Sequence, residues 1–304
     1  MKIGTGLPLA GPWATPEHMR RVATLAEDLG YSALWTFQRL LHPLDEDWGP
    51  SYHAVHDPVT SLAFVAGVTS RIRLGLAVVN APYYAPLVLA KALTTLDIVS
   101  AGRLDVGIGL GWAPQEFAAV GVPREQRGAR GEEFVACLRT IWTEPEVQFE
   151  GAFYHVPACR VEPKPVQHPH PPLLLGGAAE VALRRAGRIA DGWISSSRTD
   201  LTTIGHSIAL VRSVAHETGR DADTLRFVVR GVVIHGAEGG PDRTPLQGSA
   251  EQIKDDLAGL AEVGVTEVFL DLNYDPQMVA DDVDPVWAEQ RAEEVLTALA
   301  PTSS

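Results

Sequence analysis

Eight short, nearly all-apolar segments recur along the chain, at 2–9, 32–37, 71–79, 103–109, 173–177, 191–197, 226–234 and 266–272. Between most of them lie helical patterns, at 16–29, 58–69, 86–100, 128–143, 179–190 and up to Val263. A strand apolar on both faces must be covered on both faces, and strands joined by crossover helices run parallel. Eight such units predict a closed α/β structure, a TIM (β/α)8 barrel. A doubly wound sheet would more often show fewer units and a glycine fingerprint in its first turn, and "GLPLAGPW" lacks that fingerprint. The stretch between strands four and five is long enough for an insertion, with a hairpin at "VQFEGAFYHV" and a proline-rich loop, "PKPVQHPHPP".

Local signals agree with this layout. Thr15 is placed to cap a helix that opens on Pro16, carries Met19, Val22, Ala23, Ala26 and Leu29 on one face, and stops at Gly30. Ser249 and Gln252 have capping-box spacing, and Gly264 ends that helix. One domain is expected over 1–300, with 301–304, "PTSS", as a disordered tail. At 45% hydrophobic residues the chain can bury a large core. Its net charge of −13 and its lack of lysine or arginine runs argue against nucleic-acid or anionic-membrane partners. Glycine and proline break up the N-terminus before a signal core forms, so a cytoplasmic protein is expected. Cys137 and Cys159 are read as reduced thiols.

In "GRLDVGIGLGW" (102–112) the glycines stand two apart, unlike a dinucleotide fingerprint. Period two puts Gly107, Gly109 and Gly111 on one strand face, and the missing side chains are expected to leave space near the C-terminal mouth, where barrel enzymes keep their sites. The competing reading is that small residues simply fit a crowded interior. Gly176, Gly177 and Ala178 fall between a strand and a helix start, a place that suits a phosphate, although a plain tight turn has the same composition.

The long stretch "RIRLGLAVVNAPYYAPLVLAKALTTLDIVSAGRLDVGIGLGW", followed in order by "RGARGEEF", "PKPVQ", "LLLGGAA" and "ADGWISSS", resembles the luciferase-like flavin/deazaflavin oxidoreductases, particularly the branch using coenzyme F420. The similarity runs from about residue 2 to 299. It implies a luciferase-like barrel with a flavin-type ring at its mouth, backed by a strand-three bulge with a cis peptide at Ala77-Val78. It also implies cofactor contacts at Gly109, Gln115, Gly176, Gly177, Ala178, Ile194 and Ser195. F420 is the expected cofactor, with FMN as the alternative. The expected reaction is hydride transfer to or from a small organic substrate, apolar or cyclic in view of Phe37, Trp48, Tyr83 and Trp112. The alternatives are a monooxygenase using reduced FMN and a barrel that binds cofactor without catalysis. A homodimer is also implied.

The chain departs from the family where acid–base chemistry is expected. An Asp-His pair common after strand two is replaced by Gln38 and Arg39, and an Arg-His-Pro run after strand three by Tyr84-Ala85-Pro86. Gln38 and Arg39 are retained as catalytic candidates, Arg39 for holding an anionic group. His53 and His56 in "SYHAVHDP" are candidate proton donors, while Asp57 reads as a helix cap. His168 and His170 have metal-pair spacing but precede strand five, on the face away from the mouth, so no metal is expected there. Arg127 and Arg130 are read as steadying a helix start, or as reaching the cofactor's acidic tail.

Overall fold

The computed structural model describes residues 1–301; all of the expected tail except Pro301 lies outside them. Eight parallel strands close into a barrel: β1 (Lys2–Gly6), β2 (Ala33–Thr36), β3 (Arg73–Asn80), β4 (Leu104–Gly109), β5 (Leu173–Gly176), β6 (Gly192–Ile194), β7 (Arg226–Val232) and β8 (Glu267–Asp271). Each pairs with its sequence neighbours, and β8 pairs with β1, as in the TIM barrel expected from the pattern. The outer layer is α1 (Pro16–Asp28), α2 (Pro58–Ala66), α3 (Pro86–Val99), α4 (Arg127–Thr143), α5 (Glu180–Ile189), α6 (Ile204–Glu217), α7 (Ala250–Glu262) and α8 (Pro285–Ala298). The sequence pattern does not by itself delimit α6 or α8. The first has a legible stripe, with Ile204, Ile208, Val211 and Ala215 buried on one face.

Caps act as their residue types predict. Thr15 Oγ1 accepts from His18 N, Asp57 Oδ1 accepts from Thr60 N, and the Ser249/Gln252 box closes on itself. Inside the barrel, Ala33, Trp35, Ala77, Leu174, Ile194, Val228 and Phe269 form one cluster, with Trp35 stacked on Phe269 at 5.4 Å between centroids. Burying each ring removes about 200 Å² from water, on the order of 5 kcal/mol.

The N-terminal end of the barrel is closed by charge. Arg73 and Arg226 grip the fully buried Asp105 at 2.7 and 2.6 Å, and Arg226 reaches on to Glu267 at 2.9 Å. Glu267 also accepts from Trp35 Nε1 at 3.0 Å, tying this layer to the aromatic cluster. Burial alone would raise the Asp105 carboxyl, but the two guanidiniums hold it below the usual carboxylate range.

The insertion between β4 and β5 contains a short helix (Pro114–Ala119), α4 and an antiparallel hairpin of Val147–Glu150 with His155–Cys159. Glu133 accepts from the amides of Ala152, Phe153 and Tyr154, which fixes the hairpin turn to α4. Glu132 pairs with Arg185 and Arg188 of α5, and Arg130 donates to the Pro123 carbonyl. The charged motif at 127–133 thus has a structural role through Arg130, Glu132 and Glu133. His170 bonds its neighbour's carbonyl ahead of β5. Both cysteines are free, and burial pushes the Cys137 thiol up to about 11.

Candidate active site

At the C-terminal mouth the register of β3 on β4 slips between Leu76 and Val79, which makes a bulge. Ala77-Val78 within it is a cis peptide, as the resemblance implied. The bulge corrects the reading of the glycines. A side chain at Gly107 would overlap the Leu76 carbonyl, and one at Gly109 would overlap the Val78 side chain and approach Asn80 Oδ1 to 2.7 Å. A side chain at Gly176 would come within 3.2 Å of Val78. The bare backbone of β4 and β5 therefore receives the bulged strand, not open space, and leaves Val78 half-buried at the mouth. Gly111 lies beyond the strand at φ +72°, its amide donating to Asn80 Oδ1.

The segment after β2 braces this wall. Gln38 is almost fully buried; its Oε1 accepts from Asn80 N and its Nε2 donates to the Tyr84 hydroxyl. Both ends of the amide are engaged, so Gln38 holds β3 in place rather than facing a ligand. Burial, with Asp57 nearby, pushes the Tyr84 phenol up.

Arg39 turns inward. Its side chain is only 7% exposed and sits 3.6 Å from Glu116, with the guanidinium carbon 4.8 Å from the Trp112 ring centroid, 5.2 Å from Tyr52 and 5.7 Å from Trp48. Three aromatic faces around one guanidinium form a cation–π cage. Glu116 is fully buried and also accepts from Leu40 N at 2.7 Å and the Tyr83 hydroxyl at 2.9 Å. Burial and the neighbouring Glu116 keep Tyr83 protonated well above neutral pH.

A second arginine, unremarked in sequence because it sits inside an apolar strand, stands deeper. Arg230 donates to the Ala77 carbonyl and to the Tyr274 hydroxyl, lies 3.4 Å from Asp271, and is ringed by Phe37, Phe269 and Tyr274. Its backbone amide donates to Ser195 Oγ. Ser195 and Ile194 are both buried in the barrel wall. Arg198, just after β6, is exposed and stacks on Trp112 at 5.2 Å. In an acidic chain this mouth holds three arginines.

Beside Val78, Gly176, Gly177 and Ala178 keep solvent access. Gly177 has φ +133°, and a Cβ there would meet Ala182 Cβ at 2.6 Å, so the turn needs glycine. No side chain caps the α5 N-terminus that follows, leaving its first amides available to an anion. These features fit a phosphate-bearing cofactor.

Three other candidate residues lie elsewhere. His56 bonds the Ala14 carbonyl at 2.8 Å, next to Asp57, which caps α2, so the packing at the α2 start accounts for both. His53 faces Asp281 at 3.2 Å and the ring of His42 on the exposed side of the loop. Gln115 is held through its Nε2 by Glu46 of that loop, and its buried Oε1 has no partner.

The profile of the luciferase-like monooxygenase family matches residues 2–239. The chain belongs to the luciferase-like monooxygenase family. Among curated relatives of this luciferase-like protein is an uncharacterized protein of Mycobacterium tuberculosis, 35% identical over 232 residues, which span 76% of this chain and 73% of that one. Another is the FMNH(2)-dependent dimethylsulfone monooxygenase of Pseudomonas putida, 30% identical over 206 residues, 67% of this chain and 54% of that one. Among solved structures, monooxygenase RslO1 of Streptomyces bottropensis superposes with a TM-score of 0.81 at 24% identity over 98% of each chain. Coenzyme F420 dependent tetrahydromethanopterin reductase of Methanopyrus kandleri superposes at 0.75 with 18% identity, again over 98% of each. By their names, the dimethylsulfone monooxygenase depends on FMNH(2) and the Methanopyrus kandleri reductase on coenzyme F420. No helix among the described residues is long and apolar enough to cross a membrane.

Proposed function

We propose that this chain is an oxidoreductase that moves a hydride between coenzyme F420 and a small organic substrate. The observation that carries the reading is the uncapped α5 N-terminus behind Gly176, Gly177 and Ala178, set directly beside the Val78 wall. The amides there would take the cofactor phosphate, with Arg198 adding charge, and Val78 would back the ring. When bound, the deazaflavin supplies a carbon that gives or accepts hydride.

The chain's own groups orient and exclude. Arg39, in its aromatic cage, fixes an anionic or π-rich part of the substrate near the mouth. Tyr83, Tyr84 and Tyr274 are all pushed upward by burial, so at neutral pH they are hydrogen-bond donors rather than bases. Phe37, Tyr52 and Trp112 keep water from the site.

A second reading, oxygenation with reduced FMN, is favoured by the 30% identity to the dimethylsulfone monooxygenase. Fluorescence titration of the purified chain with F420 and with FMN separates the two. The expected result is F420 binding that weakens at least about tenfold in Gly177→Val, about 1.4 kcal/mol. Binding of FMN alone, with oxygen consumption, selects the second reading. Failure of both to bind overturns the cofactor proposal, and binding without turnover of any substrate marks a non-catalytic barrel.

A further inference from the structure

The loop from β2 to α2 carries a cluster that neither the fold nor the proposed reaction uses. One ligand atom each from His42, Asp47 and His53 lies within 4.8 Å of the others. The two imidazole rings meet edge to face, 4.4 Å between centroids. Behind His53, the Asp281 carboxylate bonds Nδ1 at 3.2 Å. On the other ring, His42 Nε2 receives only a long 3.4 Å contact from the Trp48 amide.

We propose that His42, Asp47 and His53 form a binding site for one divalent transition-metal ion of the zinc type, with Asp281 orienting His53 from behind. Two imidazoles and a carboxylate suit Zn²⁺, Co²⁺ or Ni²⁺, whereas Mg²⁺ and Ca²⁺ prefer all-oxygen sets. Zinc–nitrogen and zinc–oxygen bonds of about 2.1 Å put tetrahedral ligands roughly 3.4 Å apart. The three ligand atoms must therefore close by up to about 1.4 Å, within the reach of side chains that all have solvent access. A carboxylate on the far nitrogen of a ligating histidine is the usual outer-sphere arrangement, since it fixes the tautomer and aims the ring. Three protein ligands leave a fourth position for water.

The site's place in the loop gives it a consequence. Asp47 directly precedes Trp48 and His53 directly follows Tyr52. Trp48 and Tyr52 are two of the three walls around Arg39. An ion joining 42, 47 and 53 ties those two walls to each other, holding the loop closed over the mouth whichever redox cofactor binds below.

The test uses the untagged full-length chain, stripped with chelator, then equilibrated with Zn²⁺ and analysed for bound metal and by calorimetric titration. The expected result is about one Zn²⁺ per chain, undiminished by millimolar Mg²⁺, with a visible ligand-field band when Co²⁺ is used instead. Asp281→Asn weakens zinc binding about 10-fold, and His42→Gln or His53→Gln by about 100-fold or more. Melting of the metal-free variants checks that they fold. Zinc uptake unchanged in the His42→Gln/His53→Gln double variant, or no uptake by the wild-type chain at about 100 μM Zn²⁺, overturns the proposal.

Discussion

Replacing Gly107 by alanine tests the claim that β4 is bare in order to receive the β3 bulge. The added Cβ overlaps the Leu76 carbonyl oxygen, a backbone atom that no rotamer change can move aside, and the next side-chain neighbour is Val78 Cγ1 at 3.3 Å. Leu76 is held opposite Val106 in the ladder, so relief requires β3 to shift. Overpacking of a core typically costs about 1–3 kcal/mol and a spoiled backbone hydrogen bond about 1 more, giving an expected loss of about 3 kcal/mol. With an unfolding entropy of about 2.1 cal/mol/K per residue, this chain loses about 0.6 kcal/mol for each degree, so Gly107→Ala should melt roughly 5 °C lower. Gly259→Ala is the matched control. It lies inside α7 with nothing within 4 Å of an added methyl, and helix propensity favours alanine there by about 0.8 kcal/mol, a gain of roughly 1 °C. Differential scanning calorimetry reads both. If Gly107→Ala melts within a degree of wild type, the bulge does not depend on that bare backbone, and the account of the mouth built on it is wrong.

Glu116→Gln keeps the shape but removes one acceptor oxygen from a buried group that serves Leu40 N, Tyr83 and Arg39; chemical denaturation should show a loss of about 2 kcal/mol. Trp48 and Trp112 emission should change with it, because Arg39 loses its anchor between their rings; unchanged emission would count against the cage. For Glu27, burial raises the carboxyl, but the amides of Ile72, Arg71 and Ser70 outweigh it and bring the group from 4.5 down to about 2. Its contribution is therefore present above pH 4.5 and fades as pH falls from there toward 2. Discounted for solvent around this half-buried side chain, it should amount to about 1–2 kcal/mol, and Glu27→Gln should flatten the wild-type loss of stability over that range.

The barrel is legible in sequence because a parallel strand buried on both faces leaves a continuous apolar run, and because caps such as Thr15, Asp57 and Ser249 announce helix starts locally. The cis peptide and bulge enter through the resemblance, and nothing in "LAVV" alone marks them. What escapes is long-range. Arg39 meets Glu116 across 77 positions and Arg230 meets Ala77 across 153, and no spacing rule connects such pairs. Arg230 does leave a signal, a lone charge inside an apolar strand, which calls for a buried partner. His53 and His56 are candidates by titration range, yet geometry assigns one to an exposed cluster and the other to a backbone carbonyl.

The two ends of the barrel treat buried charge differently, and the difference locates function better than any single residue. At the N-terminal end every oxygen of Asp105 and Glu267 is engaged, and each guanidinium that touches them makes two bonds to them at 2.9 Å or less. At the mouth, Arg39 Nη1 and Arg230 Nε are buried without hydrogen-bond partners, and the counter-charges of the two arginines stand off at 3.6 and 3.4 Å. A buried polar atom left unpaired costs about 1–3 kcal/mol, a cost the Asp105–Glu267 network at the other end avoids. Selection for stability alone gives no reason for that asymmetry. A mouth that must offer donors to an anionic or carbonyl-bearing ligand does give one, because the deficit is then removed when the ligand binds.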